Sequence, residues 1–430
     1  MSTAGHGPGY GPDFSSPGNL LAGRSGIKEL MDDLGHALAD SGPSCLMLGG
    51  GNPAHIPAVE EVWRKRLQEI VADPQAVRRT LGIYDPPRGN PAVLEALAGL
   101  LRKEYGWPVG PENIAITPGG QTAFFLLFNL LGGRRDDGST GRILFPLMPE
   151  YIGYANQGLE PGMFVTRRPR ITRTGPHSFK YHLDFDGLEP GPDIAAMCVS
   201  RPTNPSGNVI PDDELRRLAG VADHCGIPLI IDNAYGWPFP GIVFGDASPL
   251  WTDRTINVMS LSKLGLPGTR TAFVVAPEPV AEAVSSMVAV TGLANGNLGQ
   301  AITGPLIASG EIIRLSRDTV RAFYLRKRDS ALAAAQEFFP RDSAWALHES
   351  EGALFLWLWL DNCRKSSRAI YESLRKRGVI VVPGEHFFFG DAGQDWPHRH
   401  ECLRLSYAMD DEVVRSGLKI IGEEIAACTA

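Results

Sequence analysis

The stretch Ser260-Leu261-Ser262-Lys263-Leu264-Gly265-Leu266-Pro267-Gly268-Thr269-Arg270 decides how this chain is read. It follows Ile256-Asn257-Val258-Met259, an apolar run with the pattern of a buried strand. A lysine at the mouth of an α/β sheet is costly to desolvate, and once desolvated its amine is a nucleophile able to form a Schiff base. Two serine hydroxyls and an arginine crowd the same turn, which suits a bound phosphate. Taken alone, the loop is also that of a surface lysine after a strand. The surrounding sequence separates the two readings.

Outward from this stretch, strand and helix patterns alternate. Apolar runs at Ile114–Thr117, Ile143–Phe145, Met163–Val165, Ile194–Val199, Pro228–Ile231 and Ala272–Ala276 read as strands. Several are continuous rather than alternating, as expected of strands covered on both faces of a mainly parallel sheet. Helices such as Thr122–Leu131, apolar almost all round, and Asp212–His224 separate them. The pattern predicts a three-layer α/β/α domain, with ligands at the carboxyl ends of its strands. Past Ile302 the pattern changes to a long helix over Glu311–Phe339, a strand at Ala353–Leu360, a helix at Ser366–Arg377 and strands at Val379–Val382 and Cys402–Ser406. That mix predicts a smaller α+β domain. The expected division is an arm over 1–25, an N-terminal segment over 26–55 that packs with the small domain, a large domain over 56–305 and the small domain over 306–430.

Composition bounds the function. At 430 residues, 43% hydrophobic and 21% charged, the chain has the make-up of a soluble globular protein of two domains. A net charge of -7 argues against a general nucleic-acid binder. The six cysteines form no CxxC pair, and Cys198 lies in an apolar run as a buried thiol would. No apolar span approaches the roughly 20 residues of a membrane helix. Residues 1–17 are rich in Gly, Ser and Pro without the apolar core of a signal peptide, so the expected location is cytoplasmic.

The groups that follow the predicted strands carry the chemistry. Pro149-Glu150-Tyr151 follows one, Arg201-Pro202-Thr203-Asn204-Pro205-Ser206-Gly207 another, Asp232-Asn233-Ala234-Tyr235 a third and Ser260–Lys263 a fourth. Leu48-Gly49-Gly50-Gly51-Asn52-Pro53 adds glycines, including Gly51, that allow a backbone to approach a ligand closely or simply turn. Pro118-Gly119-Gly120-Gln121 opens a helix, a place where free N–H groups meet anions. An aromatic face, an amide, a carboxylate with a phenol and an amine on one sheet edge are complementary to pyridoxal phosphate. Lys263 would hold its aldehyde and Asp232 would pair with the pyridinium nitrogen. Tyr235 and Asn204 would bond the phenolic oxygen, and Tyr151 would stack on the ring. Asp232 would keep the ring nitrogen protonated, so that the ring absorbs carbanion charge. Each residue also has an ordinary reading: a helix cap for Asp232, a turn former for Asn204, rim aromatics for the tyrosines.

With these motifs, together with Tyr151-Ile152-Gly153-Tyr154 and Phe355-Leu356-Trp357-Leu358-Trp359, the chain resembles the fold-type-I pyridoxal-phosphate enzymes of the class I and II aminotransferase group. Within it, the chain is similar to the valine–pyruvate aminotransferases, from about residue 26 to 425. The resemblance implies that Gly119, Gly120 and Gln121 form the phosphate turn, completed by Ser260, Ser262 and Arg270. It implies a homodimer in which Tyr84 reaches the phosphate of the other subunit. Arg404, in Leu403-Arg404-Leu405-Ser406, resembles the arginine that grips the substrate α-carboxylate, with Gly51 and Asn204 beside it. The implied reaction is transfer of an amino group between a small aliphatic amino acid and a 2-oxo acid such as pyruvate. The same motifs admit elimination or replacement at Cβ or Cγ, as in relatives that act on S-adenosylmethionine. The segment expected to cross toward a neighbouring active site, Ala294-Asn295-Gly296-Asn297-Leu298, is unusually polar.

His398-x-His400-x-Cys402 has the look of a metal site if it lies in a strand, where all three side chains would share a face with Arg404. It offers no fourth ligand, and a packing or substrate-facing role for one histidine is the preferred reading.

Overall fold

The structure is a computed structural model that describes residues 13–23, 25–28, 31–32, 35, 45–361, 363–391 and 395–429. Most of the arm lies outside the described residues, and so does much of 26–39, where apolar and polar residues alternate at helical spacing. Strand β1 (Leu46–Met47) pairs in parallel with β14 (Val379–Ile380), which ties the N-terminal segment to the C-terminal part of the chain. Helices over Pro57–Ala72, Pro74–Leu81 and Pro91–Tyr105 follow β1. The last is framed by its own sequence. Asn90 accepts from the Ala92 N–H at its start, Pro91 needs no N–H partner there, and Gly106 ends it at φ 67°.

The large sheet has eight strands: β2 (Ile114–Thr117), β3 (Gly133–Arg134), β4 (Thr140–Phe145), β5 (Phe164–Thr166), β8 (Ile194–Ser200), β9 (Leu229–Asp232), β10 (Thr255–Ser260) and β11 (Ala272–Val275). Their order is β2-β11-β10-β9-β8-β4-β3, and β5 also pairs with β4, on the side away from β8. The run β10-β9-β8-β4-β5 is parallel, and β11 lies antiparallel between β10 and β2. Every residue of β2, β9, β10 and β11 is buried, which explains why their sequences are largely apolar and do not alternate. The expected α/β architecture with a mainly parallel sheet is the one found.

The second sheet has six strands in the order β15-β16-β13-β12-β7-β6. Its C-terminal members are β12 (Ala346–His348), β13 (Phe355–Trp359), β15 (Val382–Pro383) and β16 (Cys402–Ser406). It also takes a hairpin from mid-chain, β6 (Arg170–Gly175) and β7 (Ser178–His182), which sequence reading did not find. The polar run Arg170-Ile171-Thr172-Arg173-Thr174-Gly175 forms the outer edge of the sheet, so it lacks the continuous apolar signal of a core strand. Lys180 on β7 donates to Asn208 Oδ1 at 3.1 Å and Val209 O at 3.2 Å and pairs with Glu351, so this sheet grips the loop that follows β8.

The strand placement of the His398 motif is corrected. Pro397–His400 is a single 3-10 turn and β16 begins only at Cys402. His398 packs inward against the Tyr181 hydroxyl at 2.5 Å, whereas His400 faces Glu385 at the surface. The proline at the head of the segment favours the turn over a strand. Among the described residues, no cluster of three or more His, Cys, Asp or Glu could hold a metal.

Candidate active site

Strands β10, β9, β8 and β4 are consecutive parallel neighbours, and the registers Ser200↔Asp232 and Asp232↔Val258 bring their carboxyl ends level. The loops that leave those ends carry Tyr151, Asn204, Asp232 with Tyr235, and Lys263. Four distant stretches of sequence therefore meet on one edge.

Lys263 is half-buried in the single turn Ser262–Leu264. Its Nζ donates to Gly51 O at 2.6 Å and lies 5.5 Å from the centre of the Tyr235 ring. Desolvation, reinforced by the positive charges of Arg404 and Arg270, lowers its pKa to about 8, against the pull of Asp232. Asp232 ends β9 and is buried. One of its oxygens accepts from the Ala234 N–H at 2.7 Å and the other from the Tyr154 hydroxyl. Burial raises its pKa to about 6, while the Tyr154 and Ala234 bonds and Lys263 work in the opposite direction.

Next to this pair lies a ring of groups with the chemistry to meet an anion. Gly119 has φ +88°, and a Cβ there would fall 2.3 Å from Arg270 Nη2, so only glycine fits. Gly120 starts the helix Gly120–Leu131, whose first N–H groups have no intrahelical acceptor. Ser260 Oγ lies 3.0 Å from Ser262 Oγ and accepts from the Ser262 N–H at 3.1 Å. The Gln121 side chain is engaged elsewhere. Its Nε2 donates to Gly153 O at 2.9 Å, which fixes the turn that presents Tyr151. That leaves Gln121 its backbone N–H, in the first turn of the helix, and one amide hydrogen.

Arg404, at the centre of β16, is buried, and burial lowers its pKa to about 10. Its guanidinium lies over Phe355, 4.3 Å from the ring centre, and donates to Asn204 Oδ1 at 3.0 Å and Gly49 O at 2.7 Å. Its Nε is buried with no hydrogen-bond acceptor among the described residues. Since Asn204 Oδ1 is taken, the amide nitrogen is what Asn204 has left to offer a ligand.

Tyr84 stands apart, 78% exposed, outside the pocket of its own chain. The polar segment noted in the sequence explains where it stands. Asn295 donates to Pro87 O at 2.8 Å and Ile116 O at 2.9 Å, and Asn297 to Arg79 O at 3.2 Å and Ile83 O at 2.8 Å. These amides hold the Tyr84 loop against the strand that leads to Gly119. The sequence reading missed that role, and it also missed Glu150, Tyr154 and Ser200, which lie buried behind Asp232. The available signal was the spacing of Tyr151 and Tyr154, which one turn of 3-10 helix over Ile152–Tyr154 converts into adjacent rings 5.3 Å apart.

This arrangement belongs to a known class: residues 44–421 match the aminotransferase class I and II family, and the chain is a member of it. It is therefore an aminotransferase whose cofactor is pyridoxal 5'-phosphate. The chain is 44% identical over 412 residues to the valine–pyruvate aminotransferase of Escherichia coli K12, covering 96% of this chain and 98% of that protein. Among solved structures, valine–pyruvate aminotransferase AvtA from Salmonella typhimurium LT2 superposes with a TM-score of 0.85 at 43% identity, covering 94% of this chain and 99% of that one. A chain from Psychrobacter arcticum 273-4 superposes with a TM-score of 0.93 at 41% identity, covering 97% and 99%. Near-full-length likeness to aminotransferases favours amino transfer over the elimination or replacement reading. The residues present fit the cofactor: a glycine cradle that a Cβ would fill, a buried carboxylate, a half-buried amine and a buried guanidinium with an open donor.

Because a neutral amine is the nucleophile and Lys263 becomes neutral above about 8, the rate at which apoenzyme takes up pyridoxal phosphate should rise with pH up to about 8 and level off above it. Stopped-flow absorbance measures this rate, and a rate that stays flat across that range would contradict the assignment.

Proposed function

We propose that the enzyme moves an amino group between a small aliphatic amino acid, of the valine or alanine type, and a 2-oxo acid such as pyruvate. One observation carries the reading: Lys263 and Arg404 are both turned on the carbonyls of one glycine segment, Gly51 O and Gly49 O. An α-carboxylate, with full charge and paired oxygens, would displace a neutral carbonyl from Arg404. The same ligand would then meet the Lys263 amine at the mouth of the site. In this reading Lys263 moves the α-proton, as base and then acid, and its lowered pKa suits both roles near neutral pH.

When bound, pyridoxal phosphate supplies the aldehyde that receives the amino group and a protonated ring that absorbs negative charge. Asp232 would pair with the ring nitrogen, Tyr235 and the Asn204 amide would face the phenolic oxygen, and Tyr151 would cover the ring. Gly119, Gly120, the Gln121 backbone, Ser260, Ser262 and Arg270 would hold the phosphate. Beside Lys263 lies a cavity of about 260 Å³ lined by Ala54, Ile56, Val59, Leu264 and Tyr324 together with Asn52, His55 and Glu60, and among the described residues no arginine lines it. Without an arginine fork, and with Glu60 on its wall, it suits an aliphatic side chain better than a second carboxylate. Near-full-length relatives named valine–pyruvate aminotransferase support the same substrate pair.

We also propose a homodimer with shared sites, in which Tyr84 of each copy reaches the phosphate of the other. The support is a set of exposed apolar side chains, Leu81, Ile83, Tyr84, Val290, Leu293 and Leu298, on two segments that Asn295 and Asn297 tie together. Residues 26–55 and 306–430, joined by the β6–β7 hairpin, would form the smaller domain against the larger one. Among the described residues Cys198, Cys225, Cys363, Cys402 and Cys428 form no disulfide, which supports a reducing, cytoplasmic setting.

With single amino acids and no oxo acid, valine and alanine should convert holoenzyme stoichiometrically to its aminated form, and aspartate should do so at least about 100-fold more slowly, the cost of an unpaired carboxylate. Arg404→Lys should lower kcat/KM for valine by about 100-fold, because an ammonium loses the two-pronged bond. Turnover without an acceptor, or aspartate preferred over valine, would refute the substrate reading. For the shared site, Tyr84→Phe should weaken cofactor binding by about tenfold while sedimentation still shows a dimer; a monomeric wild type would refute it.

A further inference from the structure

Glu150 is 1% exposed and lies behind Asp232, one residue before Tyr151. Its Oε1 accepts from the Ser200 N–H at 2.8 Å, and its Oε2 lies 2.6 Å from Ser200 Oγ and 3.2 Å from the Tyr151 N–H. Ser200 Oγ is 3.4 Å from the Tyr154 hydroxyl, which donates to Asp232. Two hydroxyl side chains, Ser200 and Tyr154, thus join two buried carboxyl groups. The titratable groups around Glu150 are Asp232, Tyr154, Tyr151 and Cys198, all acids. Among the described residues no Lys or Arg pairs with it, in contrast to the positive field of Lys263 on Asp232.

We propose that Glu150 is kept as a neutral acid and serves as a positioning residue for Asp232: its O–H donates to Ser200 Oγ, the Ser200 O–H turns to Tyr154, and the Tyr154 O–H is left to donate to Asp232. The inference rests on the reading that Asp232 pairs with the cofactor ring nitrogen. A second full negative charge in this pocket would have no counter-ion, so the member of the pair farther from Lys263 takes the proton. An ionised Glu150 would instead draw the Ser200 O–H to itself and leave the Tyr154 oxygen without a donor. With Glu150 neutral, every hydroxyl in the string points the same way and the negative charge sits on Asp232. Burial, which outweighs the Ser200 bonds and is reinforced by Asp232, raises the Glu150 pKa to about 8 and agrees with this assignment.

The test uses the full-length apoenzyme, with infrared absorption in the protonated-carboxyl region and titration with pyridoxal phosphate followed by fluorescence quenching. Wild type should show a neutral carboxyl band that Glu150→Gln removes and Tyr154→Phe keeps. Glu150→Gln should bind pyridoxal phosphate within about threefold of wild type, since its amide can donate to Ser200 Oγ while its carbonyl accepts the Ser200 N–H, and only the longer Tyr151 N–H contact loses its acceptor. Glu150→Ala and Tyr154→Phe should each bind about tenfold more weakly, the worth of one charge-assisted hydrogen bond. If Glu150→Ala does not fold, Tyr154→Phe carries the comparison. Absence of the band, or a Glu150→Gln protein that fails to fold or binds as weakly as Tyr154→Phe, overturns the proposal alone. A folded wild type that binds no pyridoxal phosphate overturns both the proposal and the cofactor reading beneath it.

Discussion

A buried carboxylate and a half-buried amine at the ends of adjacent parallel strands are the constraint on which the rest of this structure depends. Asp232 ends β9 and Lys263 follows β10 by a single turn. Each is shifted by burial toward neutrality, Asp232 to about 6 and Lys263 to about 8, and each favours the charged form of the other. Such a pair is expensive unless neighbouring polar groups satisfy it. The Ala234 N–H and the Tyr154 hydroxyl do so for Asp232, and Gly51 O does so for Lys263.

Distant parts of the chain are arranged around that pair. The N-terminal glycine segment supplies carbonyls to both Lys263 and Arg404, and β1 is fixed by pairing with β14. The second sheet presents Arg404 on β16, and through Lys180 and Glu351 it grips the loop that carries Asn204. Ser406 N–H donates to Leu48 O at 2.7 Å, so the strand that carries Arg404 and the segment that answers it are tied directly. Displacement at Gly49 or Gly51 would therefore be felt in both sheets.

Much of this was legible in the sequence because parallel strands covered on both faces leave continuous apolar runs, and the residues just after them fall on one edge. Lys263, Asp232, Asn204, Tyr151 and Tyr235 could be placed on that principle. Arg404 was reached only through family resemblance, since nothing local distinguishes an arginine inside a strand; Tyr84, proposed on the same ground, stands outside this cluster. The β6–β7 hairpin was missed because an edge strand is polar. Asn295 and Asn297 looked out of place because their partners are backbone carbonyls, which leave no trace in the identity of the residues that carry them. Glu150 was passed over for a similar reason: a carboxylate near a strand end reads as solvated until the fold closes over it.

The most direct measurement is chemical. Holoenzyme reduced with borohydride, digested and mapped by mass spectrometry should carry the pyridoxyl label on Lys263 and on no other lysine. Label on another lysine, including the buried Lys180 or Lys327, or a protein that takes up no cofactor to reduce, would contradict the account.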